Sequence, residues 1–193
     1  MLVKAQTAQP LDTVYLMSGK TVAGIVKDTT GDAVKILIPG KNNAYKADHI
    51  DNELVFSIKY QNGSEQVLYK QDTLFGNYFT PQEVRYFMQG ERDAFNRYKC
   101  PLWTASAFAV GFVSGFGIPP TMMFLPSFAY SGLTVAFRVK IQPRTVTNPD
   151  YLKFDTYLMG YDKEARKRRM FRTLAAGGIG IVAGFATSVI IGK

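Results

Sequence analysis

The stretch ARKRRMFRTLAAGGIGIVAGFATSVIIGK, Ala165–Lys193, decides the fold of this chain. Basic residues crowd its start, and no residue from Thr173 to Gly192 is charged. At the helical rise of about 1.5 Å per residue, about twenty apolar residues are long enough to cross the roughly 30 Å hydrocarbon layer of a bilayer. The stretch is therefore either a membrane anchor with a basic rim or a nucleic-acid-binding tail. Its apolar part alone would also suit a buried soluble helix.

Small residues recur at every fourth position of the apolar part, so they share one face of a helix. They are Ala176, Gly180, Gly184, Ser188 and Gly192. In water these glycines would destabilise a helix by about 1 kcal/mol each relative to alanine, whereas in a bilayer small residues let two helix backbones approach closely. The spacing therefore favours a glycine-rich transmembrane helix over 172–193 that packs through this face.

The residues just before this helix carry the densest positive charge in the sequence. The whole chain has a net charge of +8 and a pI near 9.5, which favours an anionic partner. Each Lys or Arg close to an anionic membrane surface contributes about 1 kcal/mol of attraction. We therefore expect anionic lipid headgroups to contact Lys163, Arg166, Lys167, Arg168, Arg169 and Arg172.

A second uncharged stretch, Cys100 to Phe137, is interrupted by Gly117-Ile118-Pro119-Pro120. Because the residue before a proline is pushed out of helical geometry, the sequence predicts an apolar helical hairpin over 101–138. Both arms are slightly short for a full crossing, so a thin two-pass hairpin and a re-entrant loop both remain open. We expect a second small-residue face in the first arm to pack against the terminal helix, in the same chain or in another subunit. This face consists of Ala107, Gly111 and Gly115.

The N-terminal part alternates apolar and polar residues with a period of two. In DTVYL, TVAGIV and AVKILI the apolar side chains fall on one face, and Ser18-Gly19, Gly31-Asp32 and Pro39-Gly40 mark the turns. ELVFSIKY and EQVLYK follow, joined by Asn62-Gly63, which is a strong hairpin signal. Short strands with short turns predict a small SH3-like or Sm-like β-barrel over 10–72.

A helix is predicted to follow the barrel. Thr80-Pro81-Gln82-Glu83 combines an N-cap, a proline at the first helical position and a capping-box glutamate. The region 73–100 is thus an amphipathic helix linker, and the region 139–171 is a polar connection with a basic helix. The sequence predicts an α+β chain in which the small β-barrel is followed by the amphipathic helix, the apolar hairpin and the C-terminal transmembrane helix.

DTVYLMSGKTVAGIV near the start and NPDYLKFDTYLMGYDKEARKRR before the glycine-rich end resemble a group of uncharacterised bacterial envelope proteins. The resemblance touches most of the chain and implies a membrane location in the cell envelope. Members of that group usually begin with a signal peptide, and MLVKAQTAQ, residues 1–9, is either the remnant of one or disordered. If the hairpin returns to its starting side, the positive-inside rule places the basic groups in the cytoplasm, whereas a cleaved signal peptide places the barrel outside. The side of the membrane on which the barrel lies therefore stays open.

Residues suited to catalysis are sparse. His49 has no second histidine and no cysteine beside it for a metal site or a triad. SGKT, at Ser18–Thr21, imitates the end of a phosphate-binding loop, but the first glycine of that motif would fall at Val14. The sequence therefore predicts a protein that is not an enzyme, without a catalytic, metal or cofactor site.

Two functional classes fit this organisation. In the first, a non-enzymatic binding or oligomerisation module is anchored in a membrane of the bacterial cell envelope, with lipids and a second copy or an envelope protein as partners. In the second, the small barrel and the basic tail bind nucleic acid. Binding of single strands uses aromatic residues interleaved with cations, whereas the aromatics between 151 and 161 precede the basic cluster. The first class is therefore favoured.

Overall fold

A computed structural model describes residues 11–40, 44–74 and 76–192 of the 193-residue chain. The chain divides after Met88 into two compact units. Strands dominate the first unit and helices form the second, so the predicted α+β class is confirmed. The signal-peptide remnant or disordered segment predicted at 1–9 lies outside the described residues.

The first unit is built on a six-stranded antiparallel sheet. Its strands are β1 (Asp12–Leu16), β2 (Thr21–Asp28), β3 (Ala33–Pro39), β4 (Tyr45–Asp51), β5 (Val55–Lys59) and β6 (Glu65–Val67). They lie in the order β4-β3-β2-β1-β5-β6, so β1 pairs with both β2 and β5. Gly63, in the turn between β5 and β6, has a φ of 84°, which glycine adopts without strain. The Asn-Gly hairpin signal therefore marks a real turn.

One buried cluster joins strands that are not neighbours in the sheet. It consists of Val14, Val34, Ile36, Ile50, Val55 and Ile58. Successive side chains of a strand point to opposite faces, so the apolar alternation puts Val34 and Ile36 on one side of the sheet. Val55 and Ile58 are three positions apart and share that side because the pairing register of β5 with β1 shifts between them. Because Ile36 of β3 and Ile58 of β5 share this core although two strands separate them, the sheet curves around the cluster.

The sheet is nevertheless open, so the predicted SH3-like or Sm-like barrel is not confirmed. A barrel closes only when its two edge strands pair with each other. Among the strands of the described residues, pairing stops at β4 on one edge and at β6 on the other. β6 is only three residues long, and all three are exposed. The period-two pattern specifies which side chains face the core, but it leaves the length of an edge strand unspecified.

Helix α1 (Pro81–Arg97) begins at the predicted capping box. The hydroxyl of Thr80 donates to Oε2 of Glu83 at 2.8 Å, and the N–H of Glu83 donates back to Oγ1 of Thr80 at 3.3 Å. Val84 and Met88 then pack against Phe56 of β5 in a second buried cluster. The first turns of α1 are therefore fixed by a cap and by the core of the sheet unit.

The second unit contains α2 (Pro101–Gly117), α3 (Leu125–Ala136) and α4 (Asp155–Ile191), and the short 3-10 turns Pro143–Thr145 and Pro149–Lys153 precede α4. α2 and α3 are two apolar helices on either side of the Pro119-Pro120 break. α4 is one continuous helix of 37 residues. The basic and apolar segments, which the sequence suggested as the separate regions 139–171 and 172–193, thus lie in a single helix. No glycine or proline lies between Tyr161 and Ala176 to interrupt it.

Candidate functional site

Helices α2 and α4 lie side by side and touch through glycines. Gly111 faces Gly177, and one turn further along α2 Gly115 faces Ile181. A Cβ atom built on Gly115 would be 2.9 Å from the Cα atom of Ile181, closer than real side chains come. Both contacts advance towards the C-terminus in both helices, so the two helices run in the same direction. The close approach of their backbones depends on these glycines.

The structure brings together the two small-residue faces that the sequence suggested. Gly180 and Gly184 of α4 lie against the backbones of Phe108 and Phe112 of α2. Of the other members of the two faces, Ala107, Ala176 and Ser188 are buried, and Gly192 is exposed. Gly177 also belongs to the contact, although it lies outside the four-residue spacing and was missed for that reason.

α3 packs against α4 through a face of hydroxyl residues. This buried face consists of Ser127, Ser131 and Thr134. A Cβ atom on Gly177 would be 3.1 Å from both side-chain atoms of Ser127, so α3 also comes close to the glycine-rich part of α4. The spacing of four and three residues between these hydroxyls is a sequence signal for the face. The small-residue pattern of glycine and alanine in the hairpin does not include these hydroxyls, so it did not predict this face.

Small hydroxyl side chains are buried in this unit while many large apolar side chains are exposed, which is unusual for a water-soluble bundle. Ser131 and Thr134 are 3% and 0% exposed, whereas Val182 and Ile179 are 69% and 64% exposed. More large apolar side chains cover the outside of the three helices: Leu102, Val113, Leu125, Phe128, Leu133, Val189 and Ile190. Soluble proteins place large aliphatic residues inside and rarely expose continuous apolar surfaces of this kind.

Some buried hydroxyls find acceptors within their own helices, whereas Oγ of Ser127 and Oγ of Ser131 have no hydrogen-bond partner among the described residues. Oγ of Ser114 donates to the carbonyl of Val110 at 2.7 Å, and Oγ1 of Thr173 donates to the carbonyl of Arg169 at 3.0 Å. Such bonds to a carbonyl one turn earlier satisfy a hydroxyl without water. These hydroxyls therefore do not require a hydrated interior.

Three arginines of α4 bind carbonyl groups at the ends of other helices. Arg166 donates to the carbonyl of Val135 at 2.8 Å, and Arg169 donates to the carbonyl of Phe137. Arg172 lies one turn further along and donates to a carbonyl just after α1. Cations near the C-terminal end of a helix satisfy its free carbonyls and interact favourably with its dipole.

The basic residues suggested for lipid contact also have partners within the protein, although the side chains of Lys163 and Lys167 are 66% and 61% exposed. Arg169 is 2% exposed and lies with its guanidinium carbon 5.2 Å from the ring centre of Trp103. Lys163 pairs with Glu91 at 2.9 Å. Arg166 and Lys167 pair with carboxylates of α4, and Arg168 stacks over the ring of an α1 phenylalanine. Spacing along the sequence did not indicate these partners.

A buried carboxylate connects α1 with α4 and with the segment before it. Asp93 is 3% exposed and accepts from the N–H of Thr147 at 2.9 Å and from the hydroxyl of Tyr157 at 2.7 Å. The Thr147 hydroxyl donates to the same carboxylate at 2.5 Å. These partners lie 54 and 64 positions from Asp93, so no local sequence pattern predicts them.

Length and hydropathy single out one helix. In the described part of the chain, Asp155–Ile191 is the helix that is long and apolar enough to span a membrane. Pro81–Arg97 and Pro101–Gly117 pass the same test only as a pair, with a bend of 60° between them. Within the described ranges no three His, Cys, Asp or Glu residues are grouped to hold a metal ion.

Comparison of the chain with protein-family models, with curated proteins and with solved structures finds no match. The fold and the site therefore define an α+β protein with one open antiparallel sheet and a glycine-packed helical unit, whose last helix is long and apolar enough to cross a bilayer.

Proposed function

We propose that this protein is a non-enzymatic binding or oligomerisation module anchored in a membrane of a bacterial cell envelope. The main support for a membrane anchor is that large apolar side chains of the helical unit, such as Val182 and Ile179, are exposed, while the hydroxyl residue Thr134 is buried. In a bilayer the solvent is hydrocarbon, so large apolar side chains lie outside, and helices associate through small residues and hydroxyls. The envelope location rests on the sequence resemblance.

The arginine contacts give independent support for a membrane interface. Arg172 bonds the carbonyl of Tyr98, just before α2, and Arg169 bonds the carbonyl of Phe137, just after α3. Through these bonds, both ends of the uncharged stretch Cys100 to Phe137 lie next to the part of α4 in which its charged residues end. Because a membrane surface is a plane, it would account for the change from charged to uncharged residues at the same depth at the start of α2, at the end of α3 and within α4.

Helix lengths fit a full crossing by α4 better than by α3. The uncharged end of α4 spans about 30 Å, whereas the 12 residues of α3 extend about 18 Å at the helical rise. The 17 residues of α2 extend about 26 Å. We propose that α2 and α3 form a hairpin that returns to the surface from which it entered.

The sheet unit serves as the binding module in this proposal. It has its own buried core, centred on Val14 and Ile36, and its edge strand β4 pairs over seven residues with β3 on one side. An unpaired strand edge is a surface on which another chain can add a strand. Nucleic-acid binding, the alternative class, has less support because the aromatics between 151 and 161 precede the basic cluster and do not interleave with it.

The anchor is tested by placing a charge on the outer surface. Val182→Lys should reduce the membrane-inserted fraction, because a lysine at the centre of a lipid-facing helix costs about 2.5–3.5 kcal/mol on insertion scales. Met159→Lys is the matched control, because residue 159 is 54% exposed on the same helix but precedes the uncharged part. Insertion is measured as resistance to extraction by alkaline carbonate.

The wild-type protein should stay in the membrane pellet after the carbonate wash and should need detergent for release. Extraction of the wild type by carbonate would refute the anchor, as would equal behaviour of Val182→Lys and Met159→Lys. A gel shift of RNA by the wild-type protein that weakens as salt rises would favour the nucleic-acid class instead.

A further inference from the structure

We propose that a groove between α2 and α4 binds one anionic phospholipid. The inference rests on the membrane location proposed above. Basic residues lie at one end of the groove, and small or apolar residues line the rest. Its walls include Lys99, Arg172, Thr104, Ala105, Phe108 and Ile179. The lipid phosphate binds between Lys99 and Arg172, and one acyl chain lies along Phe108 and Ile179.

At the polar end of the groove, no carboxylate among the described residues pairs with the positive charge. Arg172 donates one Nη1–H to the carbonyl of Tyr98 at 3.1 Å, and a guanidinium has five N–H donors in all. Across the described residues, no ion pair links a carboxylate to Lys99 or to Arg172. Lys163 and Arg166, by contrast, each have a carboxylate partner. Lys99 and Arg172 are therefore left for an external anion.

The start of α2 adds positive potential at the same place. α2 has 17 residues and begins with Pro101, and the side chain of Cys100 makes no capping hydrogen bond. Both residues line the groove. The first N–H groups of a helix have no partner within it, and together with the helix dipole they attract anions. A phosphate at this position meets two cations and a helix N-terminus together.

The rest of the groove fits a hydrocarbon chain. The small residues Ala105 and Ala176 leave space between the side chains of Phe108 and Ile179. Phe108 is 41% exposed along this groove, so an apolar ligand would cover it. Binding sites of this type recognise a ligand through apolar walls and orient it through a few polar groups. Free phosphate would leave the apolar walls uncovered, and a neutral lipid would leave excess positive charge, whereas an anionic phospholipid matches both ends.

The charge at the groove is tested by native mass spectrometry of the full-length protein in detergent, titrated with phosphatidylglycerol. Lys99→Gln combined with Arg172→Gln should weaken binding by about tenfold or more, because both attractive charges are lost. Arg138→Gln combined with Lys140→Gln removes the same charge from exposed residues after α3 that do not line the groove. This control should change the affinity by less than about twofold, because distant exposed charges are screened.

The apolar part is tested without a change of charge. Ala105→Trp fills the groove and should weaken phosphatidylglycerol binding by about tenfold as well, by analogy with the loss of a filled apolar pocket. Ala109→Trp is the control, because Ala109 is exposed one turn further along α2 and does not line the groove. Phosphatidylcholine should bind the wild type more weakly than phosphatidylglycerol, and millimolar inorganic phosphate should not displace the lipid.

Equal affinities of the two charge variants, equal binding of the two lipids, or displacement by inorganic phosphate would overturn the inference. Thermal melting checks that each variant is folded, and Ala105→Trp provides the decisive comparison when the charge variants do not fold. Failure of the groove is distinguishable from failure of the anchor. If the wild type resists carbonate extraction but its binding of phosphatidylglycerol does not depend on Lys99 and Arg172, the proposed anchor stands and the proposed lipid groove is refuted.

Discussion

Gly184 of α4 lies directly against the backbone of α2, such that a Cβ atom at position 184 would be 2.9 Å from the backbone nitrogen of Phe116. Backbone atoms cannot move aside by changing a rotamer, as the end of a side chain can. Any side chain at position 184 must therefore push the two helices apart. Gly178 lies in the same helix and has no atom within 4 Å of its Cβ position.

Gly184→Val should therefore destabilise the helical unit, whereas Gly178→Val should not. Overpacking a tight contact costs about 1–3 kcal/mol, and a contact with backbone falls at the upper end of that range. The two variants add the same side chain to the same helix, so differences in helix propensity cancel. Unfolding in detergent, followed by circular dichroism as sodium dodecyl sulfate is added, measures the free-energy difference. Equal loss of stability in both variants would mean that Gly184 is not in a helix contact.

Asp93 and Tyr157 should be coupled energetically, because the Tyr157 hydroxyl donates to the buried Asp93 carboxylate at 2.7 Å. Asp93→Asn replaces an acceptor with a group that also donates, and we expect a loss of about 2–3 kcal/mol in the free energy of unfolding. Tyr157→Phe should cost about 1–2 kcal/mol. In the double variant the losses should not add, and the coupling energy should be about 1 kcal/mol or more.

Asp150→Asn is the control for that cycle, because Asp150 is an exposed residue whose partner is the neighbouring Lys153. Exposed ion pairs contribute about 0–1 kcal/mol, so this variant should unfold close to the wild type. Strictly additive losses for Asp93→Asn and Tyr157→Phe would show that the hydrogen bond does not stabilise the helical unit.

The sequence carried enough information for the helical contact, but not for the polar bonds around it. Four-residue spacing indicated the faces that contain Gly111 and Gly184, because a helix repeats every 3.6 residues and the pattern is local. The hydrogen bond from the N–H of Thr147 to the Asp93 carboxylate depends on how the segment before α4 folds back, and no local sequence pattern specifies that fold. The same reason applies to Arg169, whose partner carbonyl is 32 positions away.

The sheet shows a similar division. Alternation indicated that Val34 and Ile36 face a core, and Asn62-Gly63 indicated a turn, because both signals lie within a few residues. Whether the sheet closes depends on the pairing of β4 with a distant edge strand, and the three-residue β6 does not provide it. Edge pairing is a long-range property, so the predicted barrel went beyond what alternation alone supports.

Glu83 should titrate below its ordinary pKa of 4.5, because the backbone N–H and the hydroxyl of Thr80 both donate to its carboxylate. A carboxylate with a lowered pKa stabilises the folded state above its ordinary pKa, and that contribution is lost as the pH falls through the folded pKa. Thr80→Val removes the hydroxyl donor and keeps the backbone donor. The Glu83 pKa should therefore move part of the way up towards 4.5.

The measurement is the carboxyl carbon shift of Glu83 by NMR in a fragment of residues 11–97, titrated from neutral to acid pH. In Glu83→Gln the helix signal of the fragment should depend less on acid in this range, because one of the titrating carboxylates is gone. An unchanged Glu83 midpoint in Thr80→Val would mean that the Thr80 hydroxyl does not interact with the carboxylate in solution.

The same fragment should fold alone and be rich in β-structure, because the sheet has its own core and α1 packs its first turns on Phe56. A circular dichroism spectrum of mainly coil would contradict this expectation.

Within that fragment, Asp12 makes the bonds that hold three parts of the sheet together. It is 6% exposed, and its two carboxylate oxygens accept from the N–H of Val26 in β2 at 2.8 Å and from the N–H of Gln61 after β5 at 3.0 Å.

Asp12→Ala should lower the free energy of unfolding of the fragment by about 2–4 kcal/mol, because two backbone donors lose their acceptor and each unsatisfied buried donor costs about 1–3 kcal/mol. Asp48→Ala is the matched control, since Asp48 is exposed on β4 and its carboxylate accepts from the N–H of the next residue, His49. That control should unfold within about 0.5 kcal/mol of the wild type. Urea denaturation followed by circular dichroism measures the unfolding midpoint of each variant, and the midpoints are compared with the same dependence of the unfolding free energy on urea concentration. If Asp12→Ala and Asp48→Ala shift the midpoint equally, the Asp12 carboxylate does not join β1 to β2 and to the segment after β5.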